Sequence, residues 1–168
     1  MPELPEVETV CLALSKILNN SRVNNVEITR KDLRWNIKEN LETCLKEKIL
    51  KKPFRRGKYI LIPTSEKHIL LIHLGMSGTI KIISGEYNIS KHDHVKINIE
   101  TKENKFFSLV YNDPRRFGYV DFFHVNRIEN HFLLKKLGVE PLQNDFTIHY
   151  LQKKISKKSK CVKNFIMD

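Results

Sequence analysis

Val7, Val10, Leu14, Ile17 and Leu18 recur at three- and four-residue intervals, the spacing that lines one face of a helix. Pro5 suits the first turn of such a helix, where a missing N–H loses no partner. Asn19-Asn20-Ser21 ends it. From residue 22 to 124 the period becomes two. Val26 and Ile28 alternate with polar neighbours, "KYILIPT" and "HILLIHL" are short apolar runs between breakers, and "HVKINIE" sets Val95, Ile97 and Ile99 on one face. "KFFSLVYN" and "GYVDFFHV" follow, while "NLETCLKEKIL" is a weaker helical patch near residues 40–50. Six or more strands joined by short turns predict an antiparallel sandwich or barrel.

The texture changes again after residue 125. "HFLLKKLGVEPL" reads as a short helix stopped by Gly138 and Pro141, and as the best place for a domain linker. "DFTIHYLQKKISKKSKCVKNFIMD" then reads as helix, break, helix, with Asp145 as a candidate cap. The pattern runs to Asp168 with no closing turn. No internal repeat is visible.

Composition adds a partner to this picture. The 168 residues carry a formal net charge of +11, a surplus that favours a polyanion over a bare solvated surface. No apolar run approaches the roughly 20 residues a membrane span needs, and charge interrupts the first apolar segment, so no signal peptide is read. Cys11, Cys44 and Cys161 are odd in number and far apart. They form neither a disulfide framework nor a zinc pair, and read as reduced, buried thiols of a cytosolic protein.

The opening "MPELPEVETV" is acidic in a basic chain. Removal of Met1 would leave Pro2 with a free secondary amine. An α-amino group titrates at about 7.7–8.0, against about 10.4 for lysine, so part of it is neutral and nucleophilic at pH 7. Glu3 is adjacent and could exchange protons. Glu6, one turn on, would share its face. Two close carboxylates push their pKa values apart. On spacing alone, acids at a helix start read first as a complement to its dipole. The run Lys153, Lys154, Lys157, Lys158, Lys160, Lys163 reads by itself as a solvated helix face. His92 and His94 in "KHDHV" share a strand face, but two ligands make no zinc site.

"MPELPEVETV" resembles the N-terminus of formamidopyrimidine-DNA glycosylases, the bacterial base-excision enzymes that remove oxidised purines. Further matches follow in order: "LRW" (33–35), "RRGKYI" around Lys58, "HLGMSG" (73–78), "KHDHV" (91–95), "NDPRRFG" (112–118) and "LGVEPL" (137–142). The resemblance implies an α+β fold, with an N-terminal helix and an antiparallel β-sandwich catalytic domain over 1–125. Residues 126–168 would be a linker and the start of a helix–two-turn–helix DNA-binding domain.

It implies roles as well. Pro2 is the nucleophile, Glu3 the acid/base, Glu6 an organising carboxylate, and Lys58 a phosphate contact that supports catalysis. Met76, Arg115 and Phe117 would fill the gap left by a flipped-out base. His92, Arg116 and Lys163 would contact phosphates. The partner is duplex DNA containing oxidised purines or abasic sites, bound by a cytoplasmic, nucleoid-associated monomer with no cofactor. The sequence departs from the family in having no "GVGN"-type segment and no four-cysteine zinc finger, and Val139 stands where proline is usual. The expectation is a C-terminally truncated glycosylase and abasic-site lyase. The alternatives are an inactive or weakly active remnant that binds DNA without specificity and, further off, an RNA- or ribosome-binding basic protein.

Overall fold

The computed structural model describes residues 1–156, 159 and 161–167. They divide into two compact units, Met1–Lys135 and Lys136–Asp168. In the first, helix α1 (Leu4–Leu18) buries Val7, Leu14 and Leu18 of the predicted stripe, with Val10 and Ile17 partly buried beside them and Cys11 buried as well. Strands β1 (Arg22–Ile28) and β2 (Phe54–Arg56) flank the short helix α2 (Leu41–Leu45). Then come β3 (Tyr59–Pro63), β4 (His68–His73), β5 (Thr79–Ser84), β6 (Asp93–Glu100), β7 (Phe106–Asn112) and β8 (Tyr119–His124).

The strands form two four-stranded antiparallel sheets, ordered β1-β6-β7-β5 and β2-β3-β4-β8. The architecture is the expected α+β sandwich. Ile60, Ile62, Leu70, Ile72, Val120 and Phe122 of one sheet meet Val23, Val26, Val95, Ile97, Ile99 and Leu109 of the other, with the α1 stripe in the same core. The unbroken apolar runs in β3 and β4 have a physical reason. Leu61, Ile69 and Leu71 face outward together with Asp121 and Phe123, and that face is covered too. Buried His131 stacks on Phe123 at 4.5 Å, and its Nε2 donates to Asp121 at 3.1 Å.

Three expectations change. "NLETCLKEKIL" gives only the five residues of α2, because Glu47 turns left-handed (φ 64°). "HFLLKKL" is not a helix: a 3-10 turn (Val125–Arg127) is followed by further turns, among which His131 is drawn onto Asp121. Of the three thiols only Cys11 is buried; Cys44 is half-buried and Cys161 exposed.

At 2% exposure, Asp93 ties β6 to its neighbours through donors from Tyr87 (2.8 Å), Ser90 (2.7 Å from both N–H and hydroxyl), Asn112 (2.8 Å) and Lys81 (3.2 Å). Burial alone would raise this carboxyl. The donors outweigh it and hold the group well below the usual carboxylate range. Asp93→Ala strands those donors and is expected to cost about 2–4 kcal/mol in urea unfolding at pH 6. Because the folded pKa is depressed, this stabilisation is complete above the unfolded value, about 3.9, and fades as pH falls below it. A gap between wild type and variant that does not narrow in acid would contradict this reading of Asp93.

In the second unit, α3 (Ile148–Ile155) is capped by Thr147, whose hydroxyl accepts from the Tyr150 N–H at 3.0 Å. Asp145 is not the cap; it lies two residues too early, and its carbonyl accepts the Thr147 N–H. The last element is α4 (Val162–Met167), where Lys163 is exposed. Lys153 and Lys154 are exposed on α3. Lys157, Lys158 and Lys160 of the lysine run lie outside the described residues. No helix among the described residues is long and apolar enough to cross a membrane.

Candidate active site at one end of the sandwich

Antiparallel register gathers distant segments at one end of the first unit. Tyr59 pairs with His73 and His73 with Tyr119 across β3, β4 and β8. Thr79 pairs with Asn112 and Asn112 with Asp93 across β5, β7 and β6. The β2–β3 turn at Gly57-Lys58, the β4–β5 crossing at 74–78 and the β7–β8 crossing at 113–118 must therefore emerge together.

The start of α1 joins them. Glu3 is the extended residue before the helix, and its carbonyl accepts the first helical bond, from the Val7 N–H at 3.0 Å. Its carboxylate ion-pairs with Lys58 Nζ. Glu6 turns back, and its Oε2 accepts the Glu3 N–H at 2.9 Å. One turn of helix does not set these two acids against each other, since each carboxylate has its own donor. Half-buried Pro2 stands one residue ahead of this arrangement. A second tie fixes the helix to the turn: Arg55 Nε donates to Glu8 at 2.6 Å, and its Nη1 to the Gly57 carbonyl at 2.9 Å.

His73 lies beside this group. Burial lowers its imidazole to about 4, and the charges of Arg34 and Lys58 push the same way, against an opposing Asp113. The ring is therefore neutral at pH 7, packed on Tyr59 at 4.8 Å. Its buried Nδ1 has no hydrogen-bond partner. Arg34 comes from "LRW", whose Trp35 is anchored edge-on to Tyr119 at 5.3 Å.

The two crossings interlock. Gly75 is left-handed (φ +63°), and a Cβ there would fall 2.4 Å from the Phe117 carbonyl carbon and 2.5 Å from the Gly118 nitrogen. Met76 (39% exposed) and Phe117 (40%) are both presented to solvent, and the Arg115 guanidinium lies 4.9 Å over the Phe117 ring. Below them, fully buried Asp113 accepts from Ser77 (2.6 Å), Tyr111 (3.2 Å) and the Gly118 N–H (2.8 Å).

The remaining expected phosphate ligands have protein partners or lie elsewhere. Arg116 (φ 59°) donates through Nη1 to Asp32 at 2.7 Å, so a carboxylate holds the guanidinium. The His92 carbonyl accepts the Asp113 N–H at 3.0 Å, and its side chain is half-buried. His94 is sealed in, its Nε2 donating to the Asp113 carbonyl at 2.7 Å. Among the described residues no group of three or more His, Cys, Asp or Glu is placed to hold a metal ion. Lys163 belongs to the second unit. Asp113, Ser77, His73 and Arg34 were missed as site residues, although the motifs "NDPRRFG", "HLGMSG" and "LRW" contain all four.

The profile described as Formamidopyrimidine-DNA glycosylase N-terminal domain matches residues 1–120. Over the whole chain, the sequence is 39% identical to a formamidopyrimidine-DNA glycosylase of Bartonella quintana and 44% to that of Ruthia magnifica, covering 60% of each. The chain thus spans about 60% of the length of these curated relatives. A crystal structure of the Lactococcus lactis enzyme, non-covalently bound to DNA containing an AP site, superposes with a TM-score of 0.85 at 29% identity, covering 99% of this chain and 62% of that one. Another, with DNA containing an oxidised pyrimidine, gives 0.86 at 30% identity, covering 99% and 60%.

Proposed function

Because the chain belongs to the formamidopyrimidine-DNA glycosylase family, we propose that it excises oxidised purines from duplex DNA and cleaves the resulting abasic site. One observation carries the reading: Lys58, brought by the β2–β3 turn, ion-pairs with Glu3, the residue next to Pro2 at the start of α1.

With Met1 removed, the Pro2 nitrogen attacks C1′ of the damaged nucleotide. The N–C1′ bond forms, and the bond to the base breaks. The base leaves with the electron pair and takes up a proton. The ammonium loses its proton, the nitrogen lone pair forms the N=C1′ double bond as the C1′–O4′ bond breaks, and O4′ takes up a proton, giving an iminium. That cation acidifies C2′, and loss of a C2′ proton expels the 3′ phosphate; a second elimination expels the 5′ phosphate. Glu3, which ion-pairs with Lys58, exchanges these protons in this reading. Met76, Arg115 and Phe117 supply a flexible chain, a hydrogen-bond fork and a flat wedge for the gap in the stack.

Borohydride trapping on an 8-oxoguanine duplex tests the reading, because it captures the iminium. The wild-type chain is expected to be captured. Glu3→Gln is expected to slow base release by about 10²–10⁴-fold while DNA binding changes little. An unchanged release rate would remove Glu3 from the mechanism, and no capture by the wild type would remove the glycosylase assignment.

The two adjacent arginines divide differently. Arg115 lies over the wedge residue and should read the orphaned base; Arg116, held by Asp32, should serve a phosphate. Arg115→Ala is expected to blur discrimination among the four opposite bases. Arg116→Ala should weaken binding to all four alike, by roughly 1.5–3 kcal/mol for one charge-assisted contact. Asp32→Asn, which releases Arg116, should strengthen duplex binding. Matched losses in the two arginine variants would refute the division.

A further inference from the structure

We propose that Asp113, acting through Ser77, is the positioning residue that sets Met76 against the Arg115–Phe117 pair, so that the three enter DNA as one wedge. This rests on the glycosylase reading for its substrate, but the device is visible in the fold itself.

The wedge residues sit on two separate crossings of the sandwich. Each crossing is short, with Met76 exposed on one and 114–117 exposed on the other. What joins them is polar and centred on fully buried Asp113. Ser77, the residue after Met76, donates its hydroxyl to Asp113 Oδ1 at 2.6 Å. The Ser77 Oγ in turn accepts the Arg115 N–H at 3.2 Å. One hydroxyl therefore spans both crossings, one bond from each wedge segment. Asp113 Oδ2 takes the Gly118 N–H at 2.8 Å, which closes the other end of the Arg115–Phe117 segment. Its main chain is held as well. The Asp113 N–H donates to the His92 carbonyl at 3.0 Å, and its carbonyl accepts from His94 Nε2 at 2.7 Å and from the Arg116 N–H at 3.2 Å.

The carboxylate touches none of the reacting groups described above. Its donors are a serine and a main-chain N–H of the two crossings and a tyrosine of β7. A buried carboxyl group that must find every one of its partners inside the protein is an expensive way to hold a loop. It is warranted where the held geometry must survive the strain of unstacking a duplex, which costs a few kcal/mol per step.

The test uses the full chain and two readouts. The first is excision of 8-oxoguanine opposite each of the four bases, read as the ratio of best to worst. The second is the fluorescence rise, at saturating protein, of 2-aminopurine placed opposite a tetrahydrofuran abasic analogue, which reports the wedge entering the stack. Ser77→Ala and Asp113→Asn are expected to shrink the ratio by about tenfold, the worth of one well-placed hydrogen bond, and to remove most of the fluorescence rise. Ser77→Thr keeps the hydroxyl and should restore both. A purely structural role would lower all four rates by one factor, leaving the ratio and the saturated amplitude unchanged; that result overturns the proposal. So does a Ser77→Thr variant as poor as Ser77→Ala. If Asp113→Asn does not fold, the two Ser77 variants decide. If wild type releases no base yet raises the fluorescence, the glycosylase reading has failed and the amplitudes alone judge this inference. If wild type gives no rise, there is no wedge to position.

Discussion

A chain whose Pro2 nitrogen is blocked, by retained Met1 or by acetylation, is expected to form no borohydride-trapped complex with an abasic-site duplex, a loss of at least about a hundredfold. The chemistry needs an amine that is neutral at working pH and can become a cation without shedding its substituents. A secondary α-amine meets both demands, since its reference pKa lies about 2.5 units below that of lysine. The nearest rival is Lys58, but its ammonium is engaged by the Glu3 carboxylate. An ammonium in an ion pair offers no lone pair. Full trapping by the blocked chain would transfer the nucleophile's role to a lysine, and Lys58→Met would then be the variant that abolishes it.

Gly75→Ala is expected to destabilise the folded chain by about 3–4 kcal/mol. Two penalties add. A left-handed backbone at φ +63° costs an L-residue about 1–2 kcal/mol, and the new methyl would stand 2.4 Å from the carbonyl carbon of Phe117. Backbone is the obstacle there, and the Asp113 bonds on either side of it resist displacement. Gly85 provides the control. It is also left-handed (φ +88°), but nothing lies within 4 Å of a Cβ built on it. Gly85→Ala should therefore show the backbone penalty alone. Thermal or urea unfolding of the pair measures the contact by difference, and equal losses would mean that the crossings do not press together.

The fold was legible where side-chain period follows from burial. The stripe Val7–Val10–Leu14–Ile17–Leu18 and the alternation in "HVKINIE" each report one covered face, and both elements lie where the pattern puts them. "HFLLKKL" misled for the opposite reason. Its apolar spacing suits a helix, but His131 bonds to Asp121, ten residues earlier, and no local pattern carries that preference. The family motifs drew attention to Pro2, Glu3, Lys58, Met76 and Phe117. What they could not supply was pairing. Glu3 and Glu6 read as neighbours one turn apart, whereas Lys58 and a backbone N–H hold them separately. Arg116 read as a phosphate contact, and its partner Asp32 is 84 residues away. Asp113 drew no notice because its work is done by register, which brings "HLGMSG" and "NDPRRFG" to the same edge.

The register that crowds one end of the sandwich puts a different set of turns at the other. The β3–β4 turn at 64–67 and the β6–β7 turn at 101–105 close the far rim, with Lys67 and Asn104 in left-handed conformations that mark tight bends. A seven-residue strand such as β7 sets that rim about 23 Å from the working end. A handle can be grafted there. An epitope, a fluorophore or a surface tether inserted at Lys102–Asn104 leaves the first residue free. A conventional N-terminal purification tag would instead occupy the one atom on which the proposed chemistry depends. A chip that holds the protein by its far rim would present every molecule with its candidate site facing the solution.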